Sequence, residues 1–152
     1  MPRRLSPDDP SIPDVLTLIR AAFAAMEGRI DPPSSMHRLD AAAVSDQAQR
    51  GEIWTLGTPP VACVFLTPRE GALYLGKLAV AGDHRGRGLA RRLVDHAATR
   101  SKALGLPALE LQTRIELAEN HAAFSRMGFM TTGTTTHTGY DRPTSVTMRR
   151  PV

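Results

Sequence analysis

A chain of 152 residues with 41% hydrophobic side chains fits one domain with a real core and is too apolar for disorder. Its single cysteine excludes an internal disulfide and a zinc cluster built on thiolates. The formal charge of +4 is the balance of residues 83–102, where Arg85, Arg87, Arg91, Arg92, Arg100 and Lys102 outnumber Asp83 and Asp95; a patch so compact fits one polyanionic ligand better than an extended nucleic-acid footprint.

The elements follow in chain order. Asp14 is placed to cap a helix running to about Met26, with apolar side chains at 15, 16, 18, 19, 22, 23 and 26. Gly28 ends it, and Pro32 and Pro33 make RIDPPSS a loop. A second helix is expected over 36–49, stopped by Gly51. Three strand-like runs follow, EIWTLG, VACVFLT and ALYLGKLAV, separated by GTPP and TPREG, and their spacing predicts an antiparallel meander. Cys63 sits in the second run and reads as core. A helix then opens in RGRGLA with Leu89, Ala90, Leu93, Val94, Ala97, Ala98 and Leu104 on its apolar face, and Gly105 closes it. PALELQTR reads as a buried strand and ENHAAFSRMGF as a short helix stopped by Gly128. The Thr-rich remainder predicts two strands with a turn near Asp141 and Pro143. The order α-α-β-β-β-α-β-α-β-β gives a mixed α/β (α+β) fold in a single domain, residues 1–152, with helices on both faces of the sheet.

Two phosphate motifs fail on inspection. GALYLGKL spaces Gly71, Gly76 and Lys77 like a P-loop, but its apolar interior forms a strand and Leu78 stands where a Ser or Thr would hold Mg²⁺. Gly86 and Gly88 open a dinucleotide fingerprint, but Arg91 occupies the third glycine position. The five histidines are scattered and no metal set is expected. What remains is GDHRGRGLARRL. Gly86 and Gly88 let backbone N–H groups approach a ligand closely, and the first N–H groups of a helix have no internal acceptor. With the helix dipole and the arginines they make an anion nest suited to a diphosphate.

That stretch resembles the acetyl-coenzyme A motif of the GNAT superfamily of N-acetyltransferases, whose pattern of Arg or Gln, two residues, Gly, one residue, and Gly or Ala is met by Arg85, Gly88 and Ala90. ENHAAFSRMGF resembles the family's second cofactor motif, through Asn120 and the pair Gly128–Phe129. The resemblance implies a central, mostly antiparallel sheet of six to seven strands with about four helices. It implies that the strand ending LAV splays from its neighbour, with Gly76 marking the bulge, and that coenzyme A lies in the wedge. Leu78, Ala79 and Val80 would then face the pantetheine arm. The diphosphate would sit on Arg85, Gly86, Arg87, Gly88, Leu89 and Ala90, and Asn120 and Phe124 would lie near the arm and its sulfur. The implied activity is acyl transfer, most simply acetyl, from acyl-CoA to an amine of a small molecule, amino acid or peptide. Neither nucleic acid nor membrane is expected as a partner, and a homodimer is expected only because relatives often form one.

The chemistry asks for a base, because deprotonating an alkyl amine at pH 7 costs roughly 4.6 kcal/mol. Glu110, Glu27 and His137 are candidates. Phe124 stands where many relatives carry an acid tyrosine, which leaves Ser125, His121 and Tyr140 as substitutes. Asp31 and Glu27 are expected to attract a cationic amine in the acceptor wall, with His137 also on the substrate side. The second reading is a CoA-binding regulatory module without catalysis. With no apolar leader in MPRRLSPDDP, the expected location is cytoplasmic.

Overall fold

The computed structural model describes residues 1–34 and 38–152. Seven strands are described, β1 (Arg3–Arg4), β2 (Glu52–Leu56), β3 (Ala62–Arg69), β4 (Ala72–Val80), β5 (Ala108–Arg114), β6 (Met130–Thr135) and β7 (Ser145–Pro151). They lie in the order β1-β2-β3-β4-β5-β7-β6. Only β4 and β5 pair in parallel; every other pairing is antiparallel. Four helices complete the fold, α1 (Ile12–Ala24), α2 (Ala41–Arg50), α3 (Leu89–Ala103) and α4 (Ala118–Arg126).

The expected order holds, with β1 as an addition. That two-residue strand is too short to show a periodicity, and it pairs with Thr55 and Trp54. Helix α1 starts two residues before the expected cap: Ser11 is its N-cap, proline occupies the first turn, and Asp14 contributes a first-turn carboxylate instead. The expected start of the second helix, Met36, lies outside the described residues. The helix itself begins at Ala41, where Asp40 Oδ1 accepts a 2.8 Å hydrogen bond from the Ala43 N–H. Leu104 leaves the apolar face it was expected to join, because it is the C-cap of α3 and 41% exposed.

Two apolar layers flank the sheet. Helices α1 and α2 close over Ile53, Cys63, Phe65 and Ala79 with Val15, Ile19 and Val44. Helix α3 closes over Val64, Leu66, Leu73, Leu75, Leu109, Leu111 and Met148 with Leu93, Val94 and Ala97, and Phe124 and Met127 of α4 pack against the same layer. Cys63 is fully buried, and that burial pushes its thiol up to about 12, so it is a core side chain and an inert one.

Strand β4 changes face partway. Phe65 pairs with Gly76 and Cys63 with Ala79, so Lys77 and Leu78 together oppose Val64. The bulge therefore falls just after Gly76, on Lys77, which has φ 50° although it is not glycine. Before the bulge Leu73 and Leu75 face α3; after it Leu78 and Val80 pack against that layer and Ala79 turns to the other. β5 pairs with β4 only across Leu73, Tyr74 and Leu75. Beyond Leu75 the two strands part.

One charged group lies inside this frame. Glu52 is 4% exposed and accepts hydrogen bonds from Arg100 Nε (2.9 Å), Arg100 Nη2 (2.7 Å) and Trp54 Nε1 (2.7 Å). Burial alone would raise its carboxyl, but the bonds from Arg100 and Trp54, with the charge of Arg100, hold it below the usual carboxylate range. A carboxyl depressed in the fold stabilises above the unfolded value of about 4.3 and loses that contribution as pH falls through the folded value. Glu52→Gln leaves Arg100 without its carboxylate and is expected to cost about 2 kcal/mol at pH 7, and to flatten the acid limb of stability below about pH 4.5. Urea denaturation across that pH range measures both.

Candidate functional site

The parting of β4 from β5 opens two clefts that meet. The first, about 460 Å³, runs from the β4 end across the loop into α3 and is closed by α1 and α4. Of the residues expected to hold a cofactor, Leu78, Ala79, Val80, Arg85, Gly86, Gly88, Leu89, Ala90, Asn120 and Phe124 all line it; Arg87 does not. Gly86 and Gly88 have φ of 77° and 74°, a backbone that glycine adopts without strain. A Cβ built on either would meet nothing within 4 Å, so the space beside both is open. Gly88 is the N-cap of the fifteen-residue α3 and no side chain caps that helix. Its orphan N–H groups thus remain for a ligand, and Arg85 and Arg91 stand on the same wall. A loop with vacant glycine faces, unengaged helix amides and two guanidiniums suits a diphosphate, and the apolar wall of Leu78, Val80, Phe124 and Met127 suits an uncharged arm. The residues present fit coenzyme A.

Sequence patterning missed part of this wall. Ala22, Phe23 and Met26 were recognisable as an apolar helix face but not as cleft rather than core; His84, which binds Asp83 at 2.9 Å, carried no signal at all.

The second cleft, about 420 Å³, lies on the α1 and α2 side of the sheet, over β4 and β5. It shares Phe23, Met26, Leu78, Asn120 and Phe124 with the first, so those residues mark the junction. Phe124 is held there edge-on to Phe129, with ring centroids 5.7 Å apart. His137 and Gln112 line the second cleft. His137 Nδ1 is hydrogen-bonded to Thr144 Oγ1, which also accepts from the His137 N–H at 3.0 Å and lies 3.3 Å from the Thr135 carbonyl oxygen it donates to. Burial, with the charge of Arg114 added and Glu116 opposing, lowers the imidazole below its ordinary range. That shift favours the neutral ring.

The other chemical candidates line neither cleft. Glu110 shares the expected face of β5 but lines neither cleft, and its carboxylate pairs with Arg149 at 3.4 Å. Ser125 is exposed on α4 and outside both linings. The His121 ring is occupied by the Arg114 carbonyl oxygen at 2.9 Å. Tyr140 donates to Asp31 Oδ1 at 2.6 Å, a bond that raises its phenol, and Arg142 pairs with the other Asp31 oxygen at 3.2 Å. Asp31 is thus taken up in a surface cluster, and Glu27 is exposed beyond the end of α1; neither lines a cleft. No group of His, Cys, Asp and Glu suited to a metal occurs among the described residues, and no described helix is long and apolar enough to cross a membrane.

Residues 16–129 match the acetyltransferase (GNAT) family. The chain belongs to that family. The match spans the bulged strand, the glycine-arginine loop and the second motif, so the GNAT acyl-transfer scaffold accounts for the splayed β4 and β5. The fold is shared with Ard1 from Thermoplasma volcanium (16% identity over 100% of this chain and 97% of that one, TM-score 0.75). It is shared too with the ribosomal-protein-S18-alanine N-acetyltransferase from Escherichia coli (21%, 100% and 94%, TM-score 0.68). A third is the IAA acetyltransferase from Bacillus cereus (18%, 100% and 99%, TM-score 0.68). No curated protein matches the sequence.

Gly88→Asp puts a carboxylate into the open space before α3 at a backbone angle that penalises any side chain. Repulsion of about 3 kcal/mol is expected to weaken coenzyme A binding on the order of 100-fold in calorimetry. The thermal unfolding curve should shift only modestly, because the new side chain meets no neighbour.

Proposed function

We propose that this GNAT chain transfers an acyl group, most simply acetyl, from acyl-coenzyme A to the amine of a small molecule, amino acid or peptide. The observation that carries the reading is the meeting of two clefts at Leu78, Asn120 and Phe124, one fitted to a diphosphate and an apolar arm, the other open to a second molecule. A bound acyl thioester supplies the acyl group and a thiolate leaving group.

The chain's own residues do the rest. Amides of Arg85–Ala90 hold the diphosphate and fix the register of the arm. The edge of β4 beyond Leu75 has no β5 partner, so its backbone is left to bind the arm, with an N–H near Val80 directed at the developing oxyanion. Phe23, Met26 and Phe124 exclude water from the junction.

His137 is the base. With the Thr144 hydroxyl proton given to Thr135, Nδ1–H donates to Thr144 and Nε2 keeps a free lone pair. Neutral at pH 7, it can take the amine proton, directly or through one water. Among the described residues no side chain at the junction is a proton acid like the family tyrosine, and none is essential. A thiol with pKa around 8.5 departs as thiolate within about two units of neutral pH, so solvent protonation suffices.

Thiol release on mixing the chain with acetyl-CoA and a panel of amines tests the reading. Tight coenzyme A binding with no acceptor turned over would favour the regulatory module instead. The role of His137 has its own check. A base whose folded pKa lies below 6.5 makes kcat/KM rise with pH up to that value and level off above it. His137→Gln is expected to lower kcat/KM about 100-fold at pH 7, to remove the plateau, and to lose less at pH 9, where the neutral fraction of an alkyl amine is about 100-fold larger than at pH 7.

A further inference from the structure

The second cleft has a charge that the proposed reaction alone does not require. Its lining includes Arg69, Lys77 and Arg114, and among the described residues it includes no carboxylate. None of the three makes an ion pair with a described Asp or Glu. Arg69 lies flat over the Tyr74 ring at 3.7 Å. Arg114 donates Nη1 to the Pro32 carbonyl oxygen at 2.7 Å and Nη2 to that of Pro33 at 3.1 Å, which uses donors but cancels no charge. Lys77 Nζ stands 5.9 Å from the Phe23 ring centroid.

Two carboxylates near the rim are already paired, Glu110 with Arg149 and Asp31 with Tyr140 and Arg142. Glu116 lines neither cleft; its Oε2 accepts the uncharged Asp31 N–H at 3.0 Å, its Oε1 is buried without a described partner, and its charge opposes that of Arg114 at His137. Lys77 and Arg114 also feel each other: burial first, and then the charge of Arg114, lower the Lys77 ammonium from its ordinary value. The bulge puts Lys77 one residue from Leu78 at the junction, and its left-handed backbone fixes where that side chain starts.

Two cations on the wall of one cleft, with no carboxylate among the described residues of that wall, are a site for an anion. We infer that the acceptor carries an anionic group, a carboxylate or a phosphate, beside its amine, and that Lys77 and Arg114 hold that group while the amine points to the junction. The inference rests on reading the second cleft as the acceptor side. It sets amino-acid-like acceptors and amino phosphates or phosphonates above polyamines and lysine-rich segments, whose extra ammonium groups would enter a cleft already positive.

Binding and turnover test it separately. Calorimetry on the full chain, with and without coenzyme A, compares 3-phenylpropanoate, 2-phenylethylphosphonate and the neutral 3-phenylpropanamide. At least one anion is expected to bind tenfold or more tighter than the amide, and the better of the two identifies the group. That preference should fall to about twofold in Lys77→Asn, which removes the charge while suiting a left-handed backbone, and in Arg114→Gln. Lys77→Asn keeps the test decisive if Arg114→Gln, which also releases the Pro32 and Pro33 carbonyls, fails to fold. Equal binding of acid and amide, or a preference unchanged in Lys77→Asn, overturns the inference. Thiol release is then compared for phenylalanine and 2-phenylethylamine. Turnover of both amines with no preference for the acid overturns the inference and leaves acyl transfer standing. Anion binding lost in Lys77→Asn with no amine turned over sustains the anion site and removes acyl transfer.

Discussion

Everything in this chain that resembles a site follows from two strands that start together and do not stay together. β4 and β5 are in register across three residue pairs, from Leu73 to Leu75, and then part, β4 running on to Val80 beside β3 and β5 to Arg114 beside β7. Parallel strands in a sheet normally satisfy each other's backbone groups along their length, so such a parting leaves a row of donors and acceptors in need of partners. The bulge at Lys77 helps to set the direction of the parting. An extra residue against Val64 turns the face of β4 and carries the strand end toward the start of α3. From that one irregularity come a groove with free backbone, a helix N-terminus at one end of it and an open sheet face at the other.

Charge is divided along the same line. The loop into α3 is basic because its amides, dipole and arginines all favour the same kind of ligand. The second cleft is basic for a different reason: its described wall carries no carboxylate, and two acids nearby are paired elsewhere, Glu110 with Arg149 and Asp31 with Tyr140 and Arg142. Most of these pairs lie at the surface and contribute little to stability. Their larger effect is on the field inside, since each carboxylate tied outside the cleft leaves Lys77 and Arg114 less screened.

The sequence made the cofactor side legible because that chemistry is written in backbone freedom and spacing. Gly86 and Gly88 opening a helix, where each costs helix stability, announce a ligand, and Arg85, Gly88 and Ala90 fall at fixed intervals within one loop. The acceptor side was opaque because it is assembled across the sheet. Lys77 reads locally as the lysine of a failed P-loop, Arg114 as the end of a strand and His137 as one polar residue in a Thr-rich run. Only the strand order β4-β5-β7, with the loop 31–34 folded over it, makes them neighbours. Glu110 shows the same limit: alternation puts it on the face shared with Gln112, but nothing local could show that Arg149, thirty-nine residues on, would pair with its carboxylate. Helix ends also erred where side-chain chemistry was shared between adjacent candidates, as with Ser11 and Asp14.

The missing carboxylate base and the positive cleft are two sides of one arrangement. In the proposed reaction an ammonium group near unpaired cations is disfavoured relative to its neutral amine, so the basic wall would lower the pKa of an amine in the cleft. Less basicity is then needed from the protein, and a neutral imidazole, weaker than it would be beside a carboxylate partner, is adequate. Burial first, and then the charge of Arg114, lower the His137 imidazole, and in the proposed reaction that charge would act in the same sense on an amine nearby. An anionic group on the acceptor offsets the cost of bringing any ligand into that field, and leaves the amine, on its other end, as the group turned toward Phe124 and the junction. Phe124 fits this scheme better than a hydroxyl would, since an apolar ring there keeps the junction dry and leaves the charges of the cleft at full strength.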